Sequence, residues 1–154
     1  MKLQVLFVCG ANACRSQMAE GFLRAVAGDA AEVRSAGVSA GGVRPLAVRV
    51  MEEAGFDISL QRSKSVAELA PSTFDVVVTL CDPSRDYCLT RDSRPDPKAK
   101  NPVMAGAPLL LHWSVPDPAE ATGSEEDVLE AFRAARDRVR ERVRSMVDEG
   151  YLAA

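Results

Sequence analysis

LQVLFVCGANACRS, residues 3–16, joins an apolar run to a short loop of small and polar residues. Residues 3–8 have the continuous apolar character of a strand that is buried on both faces of a parallel sheet. After the loop, apolar residues recur with helical spacing at Met18, Phe22, Leu23 and Val26. The stretch therefore predicts a strand, a tight turn and a helix over residues 16–28, with those four side chains on its inner face.

The remaining chain alternates between strand and helix patterns. Further strands are predicted over residues 33–38, 74–80 and 109–113, with helices over 45–55 and 63–69 and a final helix capped by Ser124. The inward face of that last helix is predicted to carry Val128, Leu129, Phe132, Ala135, Val139 and Val143. This order is typical of an α/β protein in three layers, with a central four-stranded parallel sheet and helices on both faces. We expect one domain over residues 1–154.

The composition narrows the class of function. A chain of 154 residues with 47% hydrophobic and 27% charged residues is typical of one globular domain. Its net charge of −3 disfavours a nucleic-acid-binding surface, and no apolar stretch approaches the roughly 20 residues needed to span a membrane. No secretion signal is recognisable, so we expect a cytoplasmic protein whose four cysteines stay reduced. In that compartment they are catalytic, metal-binding or inert.

Cys9 and Arg15 frame the loop after the first strand. A strand-to-helix turn of this length can wrap backbone N–H groups around a tetrahedral oxyanion. The candidate binding loop comprises Gly10, Ala11, Asn12, Ala13, Cys14 and Arg15. Arg15 offers a planar cation to two oxygens, and its field favours the thiolate of Cys9 as a nucleophile. Ser16 is placed to donate a hydrogen bond to that thiolate, while Asn12 tolerates a left-handed backbone that would hold the loop. The alternative is that Cys9 is a buried residue that only packs.

Asp117 follows the predicted fourth strand and lies between two prolines. Because proline restricts its own backbone and that of the preceding residue, the loop can aim the carboxyl group at the anion. There it can protonate the oxygen that leaves when Cys9 attacks. An Asp-Pro pair also starts ordinary turns, and on its own it favours that simpler interpretation.

Cys81 and Cys88 follow the third predicted strand, seven residues apart. Their spacing is wider than that of short zinc motifs, and the single histidine, His112, is predicted to be a strand residue rather than a ligand. If Asp82 caps a short helix, the two cysteines are separated by roughly 10 Å along its axis. A disulfide needs Cα atoms within about 7 Å, so the pair can bond only if that segment unwinds.

Residues 8–21, VCGANACRSQMAEG, resemble the phosphate-binding loop of the low-molecular-weight tyrosine phosphatase superfamily. The continuation SQMAE is typical of its thioredoxin-coupled arsenate reductases. VRSAG at residues 33–37 and FDIS at residues 56–59 resemble the next two landmarks of that group. The resemblance covers nearly the whole chain, and Asp117 matches the Asp-Pro loop that carries the general acid.

The resemblance implies a chemistry of three sulfurs. Cys9 would attack arsenate with Asp117 as the acid, Cys81 would then form a disulfide with Cys9, and Cys88 would take over the bond to Cys81. Thioredoxin would reduce that last disulfide. Phosphate and sulfate would compete as anions, no cofactor would be bound, and we expect a monomer. Cys14 has no place in this relay and is interpreted as structural.

Two departures from the family pattern stand out. Residues 82–108 are interpreted as a mobile redox segment, and its part from residue 89 onward is longer and richer in proline than the family leads us to expect.

The second departure concerns a potassium site that some relatives have near the loop. Asn12, Glu20 and Ser35 match three of its positions, but the fourth is Lys64. Because an ammonium group can replace the ion, we predict no bound metal and an activity insensitive to potassium.

Two other functions compete with a reductase. A tyrosine phosphatase would need Cys9, Arg15 and Asp117 but no relay, and phosphatases of this group usually have a tyrosine where this chain has Ala119. A thiol-based arsenite-binding sensor would use Cys81 and Cys88 alone, and would leave the Cys9 loop without a purpose.

Overall fold

The computed structural model describes residues 2–69, 73–81 and 108–150. Four parallel strands form one sheet in the order β2-β1-β3-β4. The strands are β1 (Leu3–Cys9), β2 (Ala31–Gly37), β3 (Val76–Thr79) and β4 (Leu109–His112). The predicted parallel sheet is confirmed, and the strand ends differ from the predicted ones by only one or two residues.

The central strand β1 is buried on both faces. Its side chains alternate, so that Val5 and Phe7 join one apolar cluster while Leu6 and Val8 join another, and all four are fully buried. This double burial is the physical reason for the uninterrupted apolar run in the sequence.

Helical segments cover both faces of the sheet. The helices α1 (Arg15–Ala27), α2 (Pro45–Glu53) and α3 (Glu125–Asp148) pack on the face of Phe7. On the opposite face, the 3-10 helix Val66–Leu69 packs with Phe74 against the sheet, so the predicted helix over residues 63–69 is a single short turn. Two further 3-10 turns cover Gly28–Ala30 and Pro118–Glu120.

Ser124 caps α3 as predicted. Its hydroxyl accepts a hydrogen bond from the N–H of Asp127, and the Asp127 carboxylate accepts one from the N–H of Ser124. This reciprocal capping box satisfies two donors at the start of the helix. Five of the six side chains predicted to face inward are buried, Val128 is only partly buried, and Met146 extends the buried stripe by a further turn.

The prediction for Val26 is wrong. Its side chain is 57% exposed, whereas Phe22 and Leu23 on the same helix are buried. Val26 lies near the end of α1, at the wall of a groove of about 220 Å³ between α1 and α3. Helical spacing alone does not reveal that the covering helix leaves this last turn open.

The sheet topology positions the functional residues. Cys9 ends β1, Cys81 follows β3, and Asp117 follows β4, so all three lie at or beyond the carboxyl ends of adjacent parallel strands. In open parallel sheets this edge is where ligands bind. Cys88 and nearly all of the predicted redox segment at 82–108 lie outside the described residues.

Within the described ranges no helix combines the length and apolar character that crossing a membrane requires.

Candidate active site

The loop after Cys9 turns its carbonyl groups outward. Four of them, from Cys9 to Ala13, accept backbone hydrogen bonds of 2.8–3.1 Å from residues 38–44. Among the described residues no backbone acceptor pairs with the N–H groups of residues 10–13. Among the described residues these N–H groups are therefore left available to a tetrahedral anion.

Gly37, at the end of β2, lies directly beneath the loop. A Cβ atom at this position would lie 2.3 Å from the carbonyl oxygen of Ser39 and 2.6 Å from the backbone nitrogen of Asn12. Both contacts are with backbone atoms, which cannot rotate away. Only glycine therefore permits the close approach that supports the loop.

Asn12 holds the loop from inside. It has a φ of 50°, the left-handed conformation expected of it, and its side chain is fully buried. Its Nδ2 donates to the Ser16 hydroxyl at 2.8 Å and to the Ser35 hydroxyl at 2.9 Å. Ser16 Oγ in turn lies 2.8 Å from Cys9 Sγ, which places a hydroxyl group against the candidate nucleophile.

Arg15 bridges the three strand ends. Its guanidinium donates to the carbonyl of Val115 at 2.9 Å and to that of Leu80 at 3.5 Å, and lies 3.6 Å from the carboxylate of Asp117. The residue is only 8% exposed, and its Nε has no hydrogen-bond partner among the described residues. A buried cationic donor without a partner is costly, so Arg15 is suited to an anion.

Asp117 lies at the edge of the site with its side chain partly exposed. Its Oδ1 accepts from the N–H of Ala119 at 2.9 Å and from the Cys14 thiol at 3.7 Å. Burial, together with the negative charges of Asp117 and Cys9, raises the pKa of Cys14 to about 12. Cys14 therefore remains a protonated thiol at neutral pH, which supports its structural interpretation.

Cys81 shares a cavity with the anion loop. A cavity of about 410 Å³ is lined by Gly10, Arg15, Cys81, Ser114, Val115, Pro116, Asp117 and Glu120. Because β3 is hydrogen-bonded to β1, the residues that follow the two strands are neighbours, and Cys81 lines the same cavity as Gly10. The structure thus places Cys81 in the same cavity as Gly10 and Arg15 of the anion loop.

The residues that match a potassium site lie together beside the loop and are linked by hydrogen bonds: Asn12, Ser35 and Glu20. Ser35 donates to Glu20 at 2.9 Å, and Lys64 Nζ lies 3.9 Å from the same carboxylate. Burial lowers the pKa of Lys64, and the charge of Glu20 opposes that change. Arg24 pairs with Glu20 from the other side at 3.1 Å. The buried carboxylate is therefore already compensated by two cations, which supports the predicted replacement of the ion.

The described part of the chain contains no cluster of three His, Cys, Asp or Glu side chains suited to a metal ion. His112 is a residue of β4, as predicted, and its Nδ1 lies 2.7 Å from the Thr79 hydroxyl.

The burial of one polar residue, Gln17, is not predicted by the sequence pattern. Gln17 is fully buried, and its amide contacts both the backbone and the side chain of Asn12. A glutamine in the first turn of an amphipathic helix normally faces solvent, so its pattern carries no signal. Only the folding of residues 61–64 over this turn makes it interior.

A family model described as low molecular weight phosphotyrosine protein phosphatase matches residues 4–150. The chain is 38% identical to an arsenate reductase of Halalkalibacterium halodurans over 149 residues, which is 97% of this chain and 98% of the relative. It is 37% identical to an arsenate reductase of Bacillus subtilis over 146 residues, covering 95% of this chain and 96% of the relative. A solved arsenate reductase in its phosphate-binding state superposes with a TM-score of 0.70 at 33% identity, covering 97% of this chain and 98% of the other.

Proposed function

Because the chain belongs to the low-molecular-weight phosphotyrosine protein phosphatase family, we propose that it is an arsenate reductase that uses this fold for a disulfide cascade. The two curated relatives described above are arsenate reductases with full-length similarity, and one solved arsenate reductase is in a phosphate-binding state. Arsenate has the same shape and charge as phosphate. A loop of backbone donors closed by Arg15 therefore suits either anion.

The observation that carries the proposal is the position of Cys81. It lines the cavity that also contains Arg15 and Asp117. A phosphatase needs a nucleophile, an anion clamp and an acid, but it has no use for a second sulfur at this place. A thiol beside the reacting anion is what a two-electron reduction requires.

In the first step Cys9 attacks arsenic. The sulfur–arsenic bond forms while one arsenate oxygen leaves as water, and Asp117 supplies the proton. Ser16 stabilises the thiolate through the 2.8 Å contact to Cys9. Arg15 and the loop N–H groups stabilise the charge on the remaining oxygens.

In the second step Cys81 attacks the sulfur of Cys9. The sulfur–arsenic bond breaks and its electron pair passes to arsenic, which reduces As(V) to As(III). Arsenite leaves, and a disulfide joins Cys9 to Cys81. The two thiols have thus supplied the two electrons, whereas phosphorus in the same site would accept none.

In the third step Cys88 attacks Cys81 and releases Cys9 as a thiolate. The Cys81–Cys88 disulfide then exchanges with the two thiols of thioredoxin through a mixed disulfide, which returns the enzyme to its starting state. No resident cofactor takes part, and the cycle depends on a reducing compartment such as the cytoplasm. We propose that the protein acts there as a monomer.

A tyrosine phosphatase is the alternative. It shares the first step, and weak hydrolysis of aryl phosphates is expected from the same loop and acid. Ala119 takes the position where these phosphatases have a tyrosine, so the wall that would line a phosphotyrosine cleft is small here.

Arsenate-dependent consumption of NADPH, coupled through thioredoxin and thioredoxin reductase, tests the proposal. The wild-type protein is expected to turn over, and Cys81→Ser and Cys88→Ser to lose that turnover while retaining hydrolysis of p-nitrophenyl phosphate. The retained hydrolysis controls for a damaged loop. A parallel assay with glutathione and glutaredoxin tests the choice of reductant. Undiminished arsenate turnover in Cys81→Ser would refute the cascade.

A further inference from the structure

We infer that Gln17, supported by Gln61, is a positioning residue that orients the Asn12 amide so that the Ser16 hydroxyl directs its proton at the Cys9 sulfur. Neither glutamine faces the cavity that contains Arg15 and Cys81. Their role is to fix the direction of a chain of hydrogen bonds that ends on the nucleophile. The inference rests on Cys9 being the nucleophile of the proposed function.

The direction of the chain is set first at Asn12. The backbone N–H of Lys64 lies 2.8 Å from Asn12 Oδ1. Because a backbone N–H can only donate, the side-chain oxygen of Asn12 must face Lys64. The Asn12 Nδ2 group consequently faces the two hydroxyl groups of Ser16 and Ser35, to which it donates.

Gln17 is fixed by the same argument. Its Nε2 lies 3.1 Å from the carbonyl oxygen of Asn12, 2.8 Å from Asn12 Oδ1 and 3.1 Å from the carbonyl oxygen of Arg62. All three partners are acceptors, so the end of the side chain that meets them must be the NH₂ group. A flipped amide would place an oxygen against three oxygens in a fully buried position.

Gln61 completes the chain from the surface side. Its Nε2 donates to the side-chain oxygen of Gln17 at 2.8 Å and to the Gln17 backbone carbonyl at 2.9 Å. Every donor in the series therefore points the same way, from Gln61 to Gln17, then to Asn12 and on to Ser16. Hydrogen bonds arranged head to tail polarise one another, so each donor strengthens the next.

The consequence appears at Cys9. Ser16 Oγ accepts from Asn12 Nδ2, and it lies 2.8 Å from the Cys9 sulfur. Because a thiolate can only accept, the Ser16 hydroxyl is the donor to Cys9 in the reactive, ionised state. A hydroxyl donating to sulfur stabilises the thiolate rather than the thiol. If Gln17 could no longer donate, Asn12 would lose one of the two hydrogen bonds that its side-chain oxygen accepts, and Ser16 would be less firmly directed.

The test is the pH dependence of alkylation. The rate of Cys9 modification by iodoacetamide is followed by peptide mass spectrometry, because the other cysteines also react. Gln17→Met keeps the length of the side chain but removes the donor, and we expect the midpoint of the pH profile to rise by about one unit. Gln4→Met is the control, since Gln4 is a glutamine on β1 whose side chain contacts Glu32 and Arg34 away from the loop, and it should leave the midpoint unchanged.

A double-mutant cycle separates positioning from general loosening. In a Ser16→Ala background the series of hydrogen bonds no longer reaches Cys9. Gln17→Met should therefore cause no further shift in the midpoint of the pH profile. An unchanged midpoint in the single variant, or an equal shift in both backgrounds, would overturn the inference.

Gln61→Met provides a second variant in case Gln17→Met does not fold. Gln61 is only partly buried, and its loss should shift the midpoint in the same direction by a smaller amount. An unchanged midpoint in this variant would equally contradict the inferred role of the two glutamines. The measurement uses neither arsenate nor thioredoxin. The protein could therefore fail as a reductase and still show these shifts in the alkylation midpoint.

Discussion

The two halves of the site are built differently. The nucleophile half, formed by Cys9 to Ser16, is largely buried. It is hydrogen-bonded to Ser35 on β2, to residues 38–44, and to Ser63 and Lys64. The acid half, formed by the loop around Asp117, is partly exposed and held by the N–H of Ala119, the Cys14 thiol and the guanidinium of Arg15.

This difference indicates which half must be preorganised before the anion binds. A thiolate and a ring of backbone donors act only if they are ordered before the anion arrives, because their reorganisation would otherwise add to the barrier. An acid that delivers one proton, and a second sulfur that reacts only after the first step, can be held less firmly. Arg15 contacts both halves, so it connects the rigid part to the adjustable part.

Arg15→Lys should therefore have the largest effect. Lysine keeps the charge but cannot bridge two carbonyl groups, a carboxylate and an anion at once, and we expect kcat/KM for arsenate to fall by about 10³-fold. Binding of phosphate, measured by calorimetry, should weaken in parallel. A value of kcat/KM within tenfold of the wild type would show that Arg15 does not connect the nucleophile half to the acid half.

Asp117→Asn should damage the acid half alone. The amide keeps the size and the bond from Ala119 but cannot protonate the leaving oxygen, so kcat should fall by about 10²-fold. Steady-state kinetics and phosphate titration check this together, since the anion affinity should stay within a factor of about three if the nucleophile half is independent. A large loss of affinity would mean that the two halves do not separate.

Replacing sodium by potassium should change little. Lys64 and Arg24 already compensate the buried Glu20 carboxylate behind the loop, which leaves no charge deficit for an ion to fill. Arsenate turnover at equal ionic strength should be the same in either salt. Several-fold stimulation by potassium would contradict this account of the charge balance.

Glu53→Gln should have the smallest effect, a slight loss of thermal stability, and it should leave the active site unchanged. Hydrogen bonding from Arg133 lowers the pKa of Glu53 to about 2, and this ion pair joins α2 to α3. Because the pKa is lowered in the folded state, the carboxylate stabilises the fold above its ordinary range and loses that contribution as the pH falls from about 4.5 towards 2. Melting curves should show a slightly lower Tm for the variant at pH 7, and this difference should shrink steadily as the pH falls from about 4.5 towards 2. A difference in Tm that stays the same over this pH range would contradict the assignment.

Much of the architecture was predictable from local pattern. The apolar run of β1, the C-x5-R-S loop and the serine cap of α3 each depend on neighbouring residues, and these predictions agree with the structure. The Lys64 ammonium also lies beside Glu20, as the resemblance led us to expect.

Features that depend on distant contacts were not predictable. Val26 fits the helical stripe, yet its exposure depends on where α3 passes over α1. Gln17 looks like a surface residue until residues 61–64 close over it. Gly37 gives no sign in the sequence that its missing side chain makes room for the backbone of Asn12.

The most direct test is to trap the disulfide formed in one turnover. Cys88→Ser is mixed with one equivalent of arsenate, quenched with acid, alkylated and mapped by mass spectrometry while arsenite is measured in the same sample. We expect a bond between Cys9 and Cys81 in the same molar amount as the arsenite released. Arsenite without that bond, or a protein in which both cysteines remain alkylatable, would contradict the account.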